Sequence, residues 1–305
     1  MRISIGPITY YWERPQVLDF YRQAADSAAE IIYLGEVICS KRRLVRHEDW
    51  LAIGAELQQG GKQVILSSLT LLEAASEISS LKKLCANGTF MVEANDISAV
   101  QLLSKAGQQF VTGPSVNIYN VRTLELLASK GLKRWVLPVE LGLDTLEDLQ
   151  AERPAGVETE VFALGRLPLA YSARCYTARS LNLPKDDCQF KCLDYPDGRL
   201  LKTREDQPFL VLNGIQTQSA LTHQVLDQLP ELARLGVDVL RISPQRNHTM
   251  EIIDIFDAAR RGAGLEALAQ ELTGLLPLGA CNGYLVGQSG MYSGPGTMHA
   301  NEQAS

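Results

Sequence analysis

Short runs of branched and apolar residues recur along the chain, and between them apolar positions return at helical spacing. Arg2–Gly6 reads as a strand, followed by an amphipathic helix from about Gln16 to Glu30 with Pro15 near its start. Ile31–Gly35 is the second strand and Trp50–Gly60 a helix. Val64–Ser67 is the third strand, before a helix over Leu71–Asn87 that closes on Asn87-Gly88. Strands four to seven read as Thr89–Glu93, Phe110–Gly113, Arg134–Pro138 and Glu160–Ala163. Helices over Asp96–Ala106, Val121–Lys130 and Leu146–Glu152 separate them. Then the rhythm breaks. Roughly seventy residues precede Val237–Ile242, the eighth strand, and its helix over Thr249–Arg261. The interruption holds a charged, cysteine-dense stretch, a hairpin of Arg199–Lys202 with Phe209–Asn213, and a helix over Ala220–Leu235 stopped by Gly236.

Apolar strands at this spacing, each followed by a helix, predict an α/β fold: a (β/α)8 TIM-barrel-like architecture with a cysteine-bearing insertion between strands 7 and 8. A doubly wound open sheet would give a similar string, but no Gly-x-Gly-x-x-Gly follows any strand. Residues 1–292 are expected to form one barrel-like domain, with the insertion at about 165–220. Residues 293–305, rich in Gly, Ser, Asn and Gln, are expected to be a disordered tail.

The 305 residues are 46% apolar and 21% charged, enough for a core that needs no covalent staple. A net charge of −6 leaves no basic face for phosphates and argues against a nucleic-acid binder. Met1–Gly6 enters a strand at once, with no signal peptide, and no apolar run reaches the roughly 18 residues of a membrane span. A cytoplasmic protein is expected. There, clustered cysteines serve metal or redox chemistry sooner than disulfides.

Three of the six cysteines, Cys175, Cys188 and Cys192, fall within eighteen residues, after strand seven. Cys39 follows strand two, and in a barrel all loops that follow strands open on one face. The four thiols can therefore converge, which suits a [4Fe–4S] cluster or a structural zinc. Cys39 and Cys175 lack the close partner found in zinc knuckles. Lys41, Arg42, Arg43, Arg174, Arg179 and Lys191 could offset the negative charge of a cluster. Spacing alone leaves cluster, zinc and free thiols open. Cys85 and Cys281 read as small buried hydrophobes.

Glu160–Gly165, Ala170–Cys175 and Cys188-x-x-x-Cys192 together resemble the collagenase-like peptidase superfamily. Met1–Tyr11, Gly35–Arg42 and Leu235–Pro244 narrow the resemblance to a branch that serves ubiquinone biosynthesis, over about residues 1–262. The resemblance implies a barrel-like fold and a [4Fe–4S] cluster whose ligands correspond in order to Cys39, Cys175, Cys188 and Cys192. It also implies a heterodimer with a related cluster protein of the UbiU type, acting in the oxygen-independent C6 hydroxylation of the quinone ring. A lipid-carrier protein could deliver the prenylated precursor. A cluster with four cysteine ligands has no open iron, so the expected role is electron transfer within a two-protein hydroxylase. The alternatives are an assembly subunit whose metal centre is structural and, last, a peptidase.

Other side chains carry weaker signals. Glu36 and Glu93 end strands two and four, each as a general base or as the partner of a basic residue. Tyr10, Tyr11 and Trp12 after strand one, and Asn117 and Tyr119 after strand five, form a substrate wall or merely cap the barrel. His47, His223, His248 and His299 sit in no nucleophile elbow, and no His-Glu-x-x-His occurs.

Overall fold

The computed structural model describes residues 1–294. Seven strands pair in parallel in chain order: β1 (Arg2–Ile5), β2 (Ile31–Leu34), β3 (Gln63–Ser67), β4 (Met91–Ala94), β5 (Phe110–Thr112), β6 (Leu132–Val136) and the first half of β7 (Glu158–Tyr171). Helices α1 (Arg14–Asp26), α2 (His47–Gln59), α3 (Ala75–Cys85), α4 (Ile97–Lys105), α5 (Val121–Ser129) and α6 (Leu143–Ala151) follow the first six strands and cover the ring. Capping sets two of their starts: Asp96 accepts from Ser98 N and Asn120 from Thr123 N.

The interruption is a sheet grown out of the barrel. β7 runs on to Tyr171, well past the four residues expected of it. After the short helix α7 (Tyr176–Arg179) come β8 (Arg199–Lys202), β9 (Pro208–Asn213) and β10 (Gln216–Gln224), paired antiparallel in the order β7-β10-β9-β8. The predicted helix over Ala220–Leu235 is thus corrected. Its first part is the end of β10, held against β7, and only α8 (Leu229–Arg234) is α-helical. β11 (Val239–Ile242) then pairs with both β7 and β1 and closes an eight-stranded parallel barrel. α9 (Thr249–Arg260), α10 (Leu265–Gly274) and β12 (Ala280–Cys281) follow, β12 parallel to β10. Ser293 Oγ donates to Ala280 O at 2.6 Å, so the start of the expected tail is tied down. Its remainder, with His299, lies outside the described residues. No helix among them is long and apolar enough to cross a membrane.

Alternation sorts the barrel strands into two faces. Ile3, Ile5, Ile32 and Leu34 join the main core beneath the helices. Ile31, Tyr33, Ile65, Val111 and Val239 form a small separate cluster inside the ring. Above it lie buried charges. Glu160 accepts from Ser4 Oγ and Tyr33 OH, both at 2.5 Å, and from Arg241 Nε at 2.8 Å. Arg241 Nη1 donates to Glu93 at 2.7 Å, and its guanidinium lies 4.1 Å from the centre of the Tyr33 ring. Burial works against the Glu160 anion, but Arg241 and Arg134 outweigh it and hold the carboxyl below its usual range.

Candidate metal centre

Cys39 is placed by its own loop. After β2, Glu36 turns back and its carboxylate accepts from Ile38 N at 2.8 Å and Cys39 N at 3.0 Å. Of the two roles expected of Glu36, general base or partner of a basic residue, the contact with Arg42 matches the second; burial raises its pKa against the pull of Arg42. Lys41 Nζ then reaches Lys185 O at 2.9 Å and Asp186 at 3.0 Å. Lys185 Nζ returns the contact, donating to Glu73 after β3 and to Ala173 O. These two lysines bind the Cys175–Cys188 loop to the barrel loops. The predicted helix over Leu71–Asn87 begins only at Ala75, which leaves Glu73 free to take part.

Cys175 is seated on the hairpin between β9 and β10. Tyr176 N donates to Gly214 O at 2.7 Å, and Gly214 N donates to Thr177 Oγ1 at 2.9 Å. The Cys175 sulfur itself accepts from Ala178 N at 3.5 Å. Gly214 has φ +61°, and a Cβ there would lie 3.0 Å from Arg42 Nη2. The left-handed φ favours glycine, and any side chain here would press on Arg42. Cys188 and Cys192 flank a tight turn in which Gln189 and Phe190 both adopt left-handed φ, +50° and +51°. The Phe190 ring leans on Tyr11, centroids 6.0 Å apart, so the loop after β1 holds this turn in place. Trp12 Nε1 donates to Pro196 O at 2.7 Å. Of the alternatives left open for Tyr10, Tyr11 and Trp12, the structure favours the cap: all three are buried, and Tyr11 and Trp12 fasten the insertion to the barrel end.

The four thiols line one cavity, together with Lys41, Arg42, Lys191 and Gly214. Arg42 decides its character. Its side chain is 1% exposed and lies 3.7 Å from Glu36. Nη1 donates to Thr9 O at 2.7 Å and Nη2 to Asn213 Oδ1 at 2.8 Å, while the buried Nε has no partner. Burial pushes the Cys39 and Cys192 thiols up, and the Arg42 charge opposes this at both. The basic run after Cys39 therefore places a buried cation beside thiols and is not a solvated patch. Arg174 and Arg179, by contrast, are exposed.

Among the described residues no three His, Cys, Asp or Glu side chains are grouped around the position of one metal ion. The chemistry of the lining still fits an iron–sulfur cluster. It offers four sulfurs and no carboxylate or imidazole, several cations, and a buried N–H without an acceptor. A groove of about 1050 Å³ opens beside this cavity and shares Cys39 and Cys175 with it. Leu71, Ile215 and Leu183 give it apolar walls.

The other sequence candidates lie elsewhere. Glu93 is ion-paired to Arg241 inside the barrel. Asn117 and Tyr119 are exposed, with the Tyr119 hydroxyl on Glu140. Cys85 and Cys281 are buried, as expected of structural cysteines. His47 opens α2, and His223 is buried on β10 between β7 and β12. His248 pairs with Glu251 at 2.6 Å. Ser243 shares a pocket with His248, but no hydrogen bond joins them as a nucleophile and its base. Asn213 and Gly214 escaped the sequence reading, although Asn-Gly between strands is a strong hairpin signal.

Solved structures with related shape include the U32 peptidase Mk0906, 11% identical with a TM-score of 0.45 over 80% of this chain and 93% of that one. N-acetylneuraminate lyase from Fusobacterium nucleatum is 10% identical, with a TM-score of 0.46 over 89% of this chain and 80% of the lyase. Dihydropteroate synthase from Thermus thermophilus is 14% identical, with a TM-score of 0.40 over 84% and 93% of the two chains. The sequence itself is more specific: residues 16–291, which hold all four clustered cysteines, match the model of peptidase family U32, and the chain belongs to that family.

Proposed function

We propose that the chain carries a [4Fe–4S] cluster on Cys39, Cys175, Cys188 and Cys192, and that it works as a UbiV-type subunit beside a UbiU-like partner. The reaction is the oxygen-independent C6 hydroxylation step of ubiquinone biosynthesis. One observation carries the reading: four thiols from two remote stretches border a single cavity with the buried Arg42, whose Nε–H lacks an acceptor. The residue pattern around the cysteines, which resembles the ubiquinone branch, supplies the pathway. Bound there, a cluster would supply one-electron transfer. Glu36, Arg42 and the two clamping lysines hold the loops that carry the thiols. The groove beside Cys39 and Cys175 gives a second molecule access to that centre, either the partner subunit or a precursor brought by a lipid-carrier protein. Proteolysis is not part of the reading, because His248 bonds Glu251 and no hydrogen bond among the described residues joins a histidine to a serine or cysteine.

Anaerobic purification followed by iron, sulfide and zinc analysis tests it, with visible and EPR spectra. About four irons and four sulfides per chain are expected, falling away in Cys175→Ala and Cys192→Ala. Stoichiometric zinc without sulfide would overturn the redox role and leave a structural metal. A second reading, a cluster that only braces the assembly, follows from the same cavity. Hydroxylation that survives displacement of the cluster potential would favour it.

A further inference from the structure

The Arg42 guanidinium is a charge locked in place beside the four thiols. Nη1 is held by Thr9 O at 2.7 Å and Nη2 by Asn213 Oδ1 at 2.8 Å, and Cζ lies 5.5 Å from the centre of the Tyr11 ring. The side chain borders the thiol cavity and is 1% exposed. It acts on the Cys192 thiol through its charge and a side-chain hydrogen bond, and on Cys39 through its charge. The Glu36 carboxylate, 3.7 Å away, works against it, but at both thiols the cation is the stronger influence. This pair therefore leaves a net positive field on the thiols, from a group that cannot swing away.

We propose that Arg42 sets the reduction potential of the centre these thiols hold, raising it, with Glu36 in partial opposition. The inference rests on the [4Fe–4S] reading above and adds what this chain does to that group. Uptake of one electron adds a negative charge to a centre that four thiolates already make anionic. A fixed cation in a water-poor site favours the more negative form, and it needs no reorientation when the electron arrives. Net charge and hydrogen bonds to sulfur are two levers on such a potential, and Arg42 supplies both. The exposed Arg174 and Arg179 are screened by water and salt and contribute little. Because the potential reflects a cation set against a carboxylate, removing one or the other moves it in opposite directions. Loosened loops would admit water in either variant and move both the same way.

Redox titration of the full-length protein, purified without oxygen and followed by EPR with dithionite and mediator dyes, tests this. Arg42→Gln should lower the midpoint potential by about 59 mV or more, a tenfold shift in a one-electron equilibrium. Arg42→Lys keeps the charge and should keep most of the wild-type value. Glu36→Gln should raise it, since the amide oxygen can still accept from Ile38 N and Cys39 N while the negative charge is gone. Should Arg42→Gln hold no cluster, the direction of the shift in Glu36→Gln decides. A potential unmoved in Arg42→Gln, or as low in Arg42→Lys as in Arg42→Gln, would overturn the role of the charge. So would an unmoved or lowered potential in Glu36→Gln. A wild type without iron and sulfide would overturn the cluster reading itself, and this role with it.

Discussion

Arg42 Nη2 donates to Asn213 Oδ1 at 2.8 Å across 171 positions of sequence, and Asn213 Nδ2 passes the tie on to Thr9 O at 2.8 Å. One buried guanidinium thus joins the loops after β1 and β2 to the hairpin that seats Cys175. Arg42→Met should cost about 3–5 kcal/mol, because it strands Glu36, Asn213 and Thr9 O without their cation. Arg42→Lys should recover only part, since an ammonium cannot span two acceptors as the planar fork does. Urea unfolding of the metal-free protein measures both. A loss below about 1 kcal/mol, the level of a surface pair, would show that the tie is ornamental.

Acid should unfold the chain through His223. Its ring is 3% exposed, its Nδ1 has no partner, and burial pushes its pKa from 6.5 down to about 4. The unfolded chain takes up this proton near pH 6.5 and the folded chain only near 4, so stability is present above 6.5 and drains as pH falls between the two. The full loss is about 3 kcal/mol. His223→Phe should flatten that slope in chemical unfolding at a series of pH values. An unchanged slope would move the acid sensitivity to other groups.

The remaining thiols should be silent. Burial pushes Cys85 up to about 11 and Cys281 up to about 12, so neither forms thiolate near neutrality. Alkylation of folded, metal-free protein followed by mass mapping should label Cys188 and Cys175 well before these two. Cys85→Ala should leave the iron content unchanged.

Inside the ring, Glu160 stands between two arginines. Glu160→Gln removes the charge that both Arg241 and Arg134 face, and should destabilise by about 3 kcal/mol or more. Thermal unfolding reads this directly. Glu158→Gln should cost far less, because that carboxylate is 38% exposed.

How much of this could be read in advance differs from element to element. The barrel strands were legible because their apolar runs are short and regularly spaced, with helices of clear period between them. The reading failed at Ala220, where Ala220-Leu221 followed by Val225, Leu226 and Leu229 returns at helical spacing. Pairing with β7 and β12 overrides that local pattern, as tertiary context commonly does for strands. That Cys39 and the three later cysteines line one cavity followed from barrel geometry, since loops after strands share a face. The burial of Arg42 did not. Lys41-Arg42-Arg43 is an ordinary solvated triplet by composition, and its middle member is buried by contacts that include Thr9 and Asn213, far off in the chain.

Cys39 and Cys175 lie 136 positions apart, and they become neighbours only when β2 through β7 stand side by side. Contacts of such separation form late in folding, after loop closure has been overcome. A chain emerging from the ribosome offers Cys39 alone, then waits through most of a barrel for the other three. A metal centre held by all four thiols would therefore have to be inserted after the barrel has closed, into folded protein rather than a nascent strand.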